Sequence, residues 1–137
     1  MCGNLRRAAR VVTQYYAKLL KPSGLEPTQF TLLVACATAG PVPISALAGA
    51  IATDRTTLTR NLRLLARQGL AQVTEGADRR VRRVELSKDG RTALARALPL
   101  WQKAQSGMTE ILGQARVDGL LDNLDAVVTL SRTRRPK

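Results

Sequence analysis

A chain of 137 residues and 14.8 kDa has room for one hydrophobic core and not for a second independent domain, and its 45% hydrophobic content suffices to build that core. Its 22 Lys and Arg against 10 acidic residues leave a net charge of +12 and a pI near 11.2, the balance of a protein that meets a polyanion, with nucleic acid the leading partner. There is no His, which removes the usual general base and every Ser-His-Asp or Cys-His nucleophile; with no metal-ligand cluster and no phosphate-cradling Gly-rich loop, neither an enzyme nor a metal or cofactor site is expected.

Cys2 and Cys36 lie far apart without Cys-x-x-Cys spacing, so no structural zinc site or disulfide framework is indicated and a reducing cytosol fits best. Met1 to Arg10 is basic but lacks the apolar stretch of a signal peptide, and no 18-residue apolar run follows it. The expectation is a soluble, cytoplasmic protein with no membrane partner.

In chain order, Leu5, Ala8, Val12, Tyr15, Tyr16 and Leu19 recur at three- and four-residue steps, an amphipathic helix ended by Pro22 and Gly24. After the Pro27-Thr28 start, Phe30, Leu33, Val34 and Ala37 predict a second helix, closed by Gly40-Pro41. Ile44, Leu47, Ala48 and Ile51 form a short helical stripe, and Asp54 is a good N-cap for a further helix to Gln68. Two short helices with a tight connection read as helix-turn-helix. Gly69 and Leu70 suit a Schellman cap, with Leu70 folding back on Leu65. Strands are expected over Leu70 to Thr74 and Arg80 to Leu86, joined by a turn at Glu75-Gly76-Ala77-Asp78, which makes a hairpin wing. From the N-cap Ser87 a long helix runs to about Leu112, kinked at Pro99. Val117, Leu120, Leu121, Leu124, Val127 and Val128 make the last amphipathic helix, before a basic tail over Arg132 to Lys137.

At 100° per residue, the helix from Asp54 to Gln68 carries Leu58, Leu62 and Leu65 on one face and Thr56, Arg60, Arg63 and Arg67 on the other, with Thr59 at that stripe's edge. An ordinary solvated face mixes both signs of charge, yet no acid follows Asp54 here. Such a face suits the major groove, where Arg bonds guanine edges and Thr touches a thymine methyl or a phosphate. In the hairpin, Arg79, Arg80, Arg82 and Arg83 crowd one turn and suit the enhanced negative potential of a minor groove. Asp78 is positioned to pair with Arg80 and hold its guanidinium.

The runs Asp54-Arg55-Thr56-Thr57-Leu58-Thr59-Arg60, Gln68-Gly69-Leu70 and Asp78-x-Arg80-x-x-x-Val84-x-Leu86-Ser87-x-x-Gly90 resemble the MarR family of winged-helix regulators. The resemblance implies a mainly α fold with a small β-hairpin wing: a single domain over 1–137 whose winged helix-turn-helix spans about 28–90, flanked by dimerisation helices over about 1–27 and 91–137. It further implies a homodimer on a pseudo-palindromic double-stranded DNA operator, usually a repressor released by a small ligand or by thiol oxidation. Carried over residue by residue, Thr56, Thr57, Thr59, Arg60 and Arg63 fall in the recognition helix, Arg80 is the wing-tip minor-groove residue, and Asp78 is its partner. Leu5, Val12, Leu120, Leu124, Val127 and Val128 would interleave with their symmetry mates.

The family's ligands, commonly phenolic or other aromatic carboxylates, sit between the dimerisation helices and the DNA-binding lobe, where Tyr15, Tyr16, Phe30 and Trp101 are candidate lining residues or simply core or interface residues. Counted back from Gln29-Phe30, Cys2 lies where the organic-hydroperoxide-sensing branch carries its reactive cysteine, and Tyr16 matches a tyrosine that contacts it. Pro27 departs from that branch, which has a second tyrosine there. Cys36, in an Ala-rich helix, reads as an inert core thiol. Three functions therefore stand side by side: a ligand-released regulator, a peroxide- or thiol-responsive regulator sensing through Cys2, and a non-specific architectural DNA-binding protein, for which charge alone would suffice.

Overall fold

The computed structural model of the chain describes residues 1–51 and 53–133, with side chains as far as residue 130; of the basic tail over Arg132 to Lys137, only the backbone of its first two residues, within the last helix, is described, and 134–137 lie outside the described residues. Helix α1 (Cys2–Leu20) begins three residues before the apolar pattern does. Pro22 does not stop the chain's helical path but sits in a 3-10 turn (Lys21–Ser23) that ends at Gly24, whose φ of +76° is cheap only for glycine. Helix α2 (Pro27–Ala39) starts with a capping box: the Glu26 side chain accepts from the Gln29 N–H, and the Glu26 N–H donates to Gln29 Oε1 at 3.0 Å. Helices α3 (Ile44–Ala50) and α4 (Arg55–Arg67) follow as the sequence implies.

A two-residue strand, β1 (Val42–Pro43), escapes sequence reading because it is too short to alternate and contains a proline. It pairs with β3 (Arg82–Leu86), which also pairs antiparallel with β2 (Ala71–Glu75), so β3 is the central strand in the order β1-β3-β2. Val84 sits opposite both Val42 and Val73 and is fully buried, tying the wing's base to the helical lobe. Helix α5 (Lys88–Leu112) is continuous through Pro99, and α6 (Gln114–Thr133) packs against it after Gly113.

The core lies inside the lobe formed by α2, α3, α4 and the sheet, where Leu33, Leu47, Leu58, Leu62, Leu65 and Val84 are buried. Leu20 closes it from α1 and Ala97 from α5. Burying side chains of this size contributes about 1.5–3 kcal/mol each, which sets α4's inner face firmly. The outer face of that helix is left to solvent.

Candidate nucleic-acid interface

Helix α4 starts at an N-cap that uses both oxygens of Asp54: Oδ1 accepts the Thr57 N–H at 2.8 Å and Oδ2 accepts the Thr57 hydroxyl at 2.6 Å. The Thr57 hydroxyl, followed by its backbone N–H, holds the Asp54 carboxyl below the usual carboxylate range. The negative charge is thus kept at the positive end of the helix. Thr57, expected among the outward-reading residues, turns its hydroxyl to this cap instead. Thr59 is half-buried and donates to the Arg55 carbonyl at 2.8 Å, leaving its oxygen lone pairs as acceptors.

With Leu58, Leu62 and Leu65 locked inward, Thr56, Arg60, Arg63 and Arg67 are exposed together. Along them runs a concave strip of about 670 Å³ whose walls also include Arg55 and the apolar, exposed Leu64. No acidic side chain lines it. Sequence reasoning does not assign Arg55 or Leu64 to the site: Leu64 flanks the arginine stripe on the helical wheel, which is an available signal, whereas Arg55 falls on the leucine side of the wheel and lines the strip from the helix's first turn, which the wheel does not reveal.

The far end of α4 closes as a Schellman motif. The Gly69 N–H donates to Ala66 O at 3.0 Å and the Leu70 N–H to Leu65 O at 2.9 Å, with Gly69 at φ +72°. The chain reverses directly into β2, so the wing is placed beside α4 by the cap.

At the wing the structure moves the expected turn. Glu75 ends β2 opposite Arg82, an opposite-charge cross-strand pair, so the ladder continues past the position where a turn was expected. The reversal is made by Asp78 to Val81: the Val81 N–H donates to Asp78 O at 2.9 Å, and the Gly76 N–H donates to Val81 O at 2.7 Å. Arg80 and Val81 therefore belong to the tip and not to the strand. Asp78 Oδ1 accepts the backbone N–H of Arg80 at 3.0 Å, so the carboxylate holds that residue's main chain, where a contact to its guanidinium was expected. Arg79 and Arg80 become the central residues of the turn, exposed at the wing's end, with Arg82 just behind them.

Three of the four candidate pocket aromatics converge. Tyr16, Phe30 and Trp101 line a cavity of about 230 Å³ with Val12, Pro27 and Thr31. The Phe30 and Trp101 rings stack at 5.8 Å and 19°. The Tyr16 hydroxyl donates to Gln105 Oε1, and burial, with a smaller contribution from Tyr15, makes it less acidic than a free phenol. Tyr15 meets Tyr16 edge to face at 5.8 Å but lines a different depression, beside Lys18, Lys103 and Gly107. A cavity of about 150 Å³ can hold benzene, so the first of these spaces admits one aromatic ring.

Cys36 is buried, and burial pushes its thiol up in pKa; Cys2 is exposed at the start of α1. Since α1 is one helix, Cys2 and Tyr16 stand about 21 Å apart along its axis. Contact between them requires two copies of the chain. Among the described residues, no helix is long and apolar enough to cross a membrane.

The comparisons with known proteins fit this geometry. A family model described as the MarR family matches residues 23–83, from the 3-10 turn into β3. The M. tuberculosis transcriptional regulator MosR, solved in complex with DNA, is similar at 41% identity over 99% of this chain and 98% of that one, with a TM-score of 0.87. The chain belongs to the MarR family. MarR proteins are DNA-binding transcriptional regulators. The transcriptional repressor CouR, solved on a 23-mer DNA duplex, is similar at 28% identity over 90% of this chain and 89% of that one, with a TM-score of 0.83. A MarR variant from E. coli complexed with operator DNA shares the MarR fold at 23% identity, covering 91% of each chain, with a TM-score of 0.82. No curated protein matches the chain by sequence.

Proposed function

We propose that this protein is a homodimeric, sequence-specific transcriptional regulator that binds a pseudo-palindromic operator and represses until a small aromatic ligand releases it. The observation that carries this reading is the acid-free cationic strip of α4 set beside a wing whose turn is made of arginines. Arg60 and Arg63 read guanine edges in the major groove, while Thr56 and Thr59 meet thymine methyls or phosphates. Thr57 fixes the start of the reading helix. Arg79, Arg80 and Arg82 follow the adjacent minor groove, with Asp78 shaping the turn that presents them. MosR and CouR, both solved on DNA, support DNA as the partner, and CouR's description as a repressor supports repression.

The dimer is supported by area. The single chain exposes 10127 Å², whereas a compact monomer of this mass exposes about 7,000 Å². Apolar side chains contribute to it: Leu5, Val12, Leu120, Leu124, Val127 and Val128 are all exposed, Leu120 at 48%. Exposed stripes on α1 and α6 of this extent mark an interface between copies.

The cavity at Tyr16, Phe30 and Trp101 supports ligand release, and its lining refines the ligand. It offers hydroxyls from Thr13, Tyr16 and Thr31 and no charged side chain, which suits an uncharged single-ring phenol better than a carboxylate. Footprinting on the DNA upstream of its own gene tests the whole reading. The expected result is protection of an inverted repeat with half-sites about 10–10.5 bp apart, lost on adding a phenol. Uniform protection without a repeat would favour an architectural protein.

A second reading, a thiol switch, is favoured by the contrast between an exposed Cys2 and a buried Cys36. Cys2→Ser would then bind the operator but lose its response to organic hydroperoxide, and Cys36→Ser would keep it. Wild-type protein that holds its operator through a hydroperoxide titration rules the switch out.

A further inference from the structure

The reading helix α4 is held at both ends, and at its far end one side-chain hold comes from α2. Gln68, the C-cap of α4, accepts a hydrogen bond on Oε1 from Gln29 Nε2 at 2.9 Å. Gln29 is 8% exposed and is the one buried polar side chain among the described residues. Its other amide atom, Oε1, accepts the Glu26 N–H of the capping box at 3.0 Å. A backbone N–H can only donate, so this contact dictates which end of the Gln29 amide is the carbonyl. The NH2 is thereby turned to Gln68, whose amide must answer with oxygen. The chain from Glu26 through Gln29 to Gln68 has one consistent polarity.

Apolar packing beneath α4 sets which face is inward but is non-directional and prescribes no single geometry for the helix's end. An amide pair has one geometry. We propose that Gln29 is a positioning residue for DNA recognition, acting through Gln68 to fix the far end of α4 and so the angle at which Arg60, Arg63 and Arg67 are offered. This rests on the DNA-binding reading above. Gln29 stands in the first turn of α2 beside Pro27, Phe30 and Thr31, which line the aromatic cavity, so a ligand that shifts this turn shifts Gln29 with it.

The test measures affinity of the full chain for its footprinted operator and for random duplex of equal length. Gln29→Met and Gln68→Met keep side-chain length and remove the amide; Gln68 is exposed, so its variant leaves the core undisturbed. Each is expected to lower the operator-to-random ratio about five- to tenfold, with affinity for random DNA unchanged and the double variant no worse than either single one. Gln68→Glu keeps the accepting oxygen and should restore the ratio, although its charge weakens binding to both DNAs. An unchanged ratio in both Met variants, multiplying effects in the double variant, or a parallel fall in both affinities with a lowered melting temperature would each overturn the proposal. Wild-type protein with no operator preference would instead overturn the regulator reading on which it stands.

Discussion

Gly90 packs directly on the carbonyl of Leu70: a β-carbon on Gly90 would stand 2.9 Å from that carbonyl carbon and closer still to its oxygen. Around this contact the Ser87 N–H donates to Leu70 O at 3.1 Å, the Ser87 hydroxyl donates to Gly69 O at 2.5 Å, and the Gly90 N–H donates to Ser87 Oγ at 2.9 Å. The cap that ends the reading helix and the cap that starts α5 are one hydrogen-bonded unit. It joins the DNA-facing lobe to the long helix of the proposed dimer.

Gly90→Ala should therefore destabilise the protein although alanine is the better helix former. The steric cost, about 1–3 kcal/mol, outweighs the helix-propensity gain of about 1 kcal/mol or less. Thermal unfolding should show a lowered midpoint. A midpoint at or above wild type would mean that α5 approaches the Leu70 carbonyl less closely than described.

The Asp54 cap gives α4 a pH dependence of known sign. Its carboxyl is held below the usual range in the folded state, so its contribution is present above the unfolded value and is lost as pH falls through the lowered folded value. Between about pH 6 and about pH 3 the wild type should lose more stability than Asp54→Asn, which keeps an accepting oxygen without a titrating group. Parallel melting curves for the two proteins across that range would remove Asp54 from the linkage.

Helix and wing should fail differently on DNA. Arg60→Ala or Arg63→Ala should cost about 1–3 kcal/mol at the operator and relax specificity at one base pair. Arg80→Ala should weaken binding to all sequences and reduce the salt slope by about one per protomer. Wild-type affinity in all three variants would move the DNA surface elsewhere.

Placing a charge in the exposed α6 stripe should break the dimer. Leu120→Asp or Leu124→Asp is expected to yield monomers in sedimentation at micromolar concentration, with operator binding lost because one half-site alone remains engaged. A wild-type species of only 14.8 kDa under the same conditions would defeat the dimer itself.

Some features are decided within a few residues, and these were legible in the sequence. The 3.6-residue stripe of Leu58, Leu62 and Leu65, the Asp54 N-cap and the Gly69 cap each depend on local spacing, and each stands where that spacing put it. The acid-free arginine face follows from the same wheel, because burying the leucines leaves the arginines no other side. Strand β1 needed a partner about 40 residues on, and two residues cannot announce a strand by alternation. The wing turn moved because Glu75 found Arg82 across the ladder and Asp78 found the Arg80 N–H, a competition between neighbours that composition does not resolve. Tyr15 and Tyr16, adjacent in sequence, line different depressions because successive helical residues diverge by about 100°. The bond from Gln29 to Gln68 had no sequence signal: either glutamine alone is an ordinary polar residue, and only the approach of α2 to the end of α4 makes them partners.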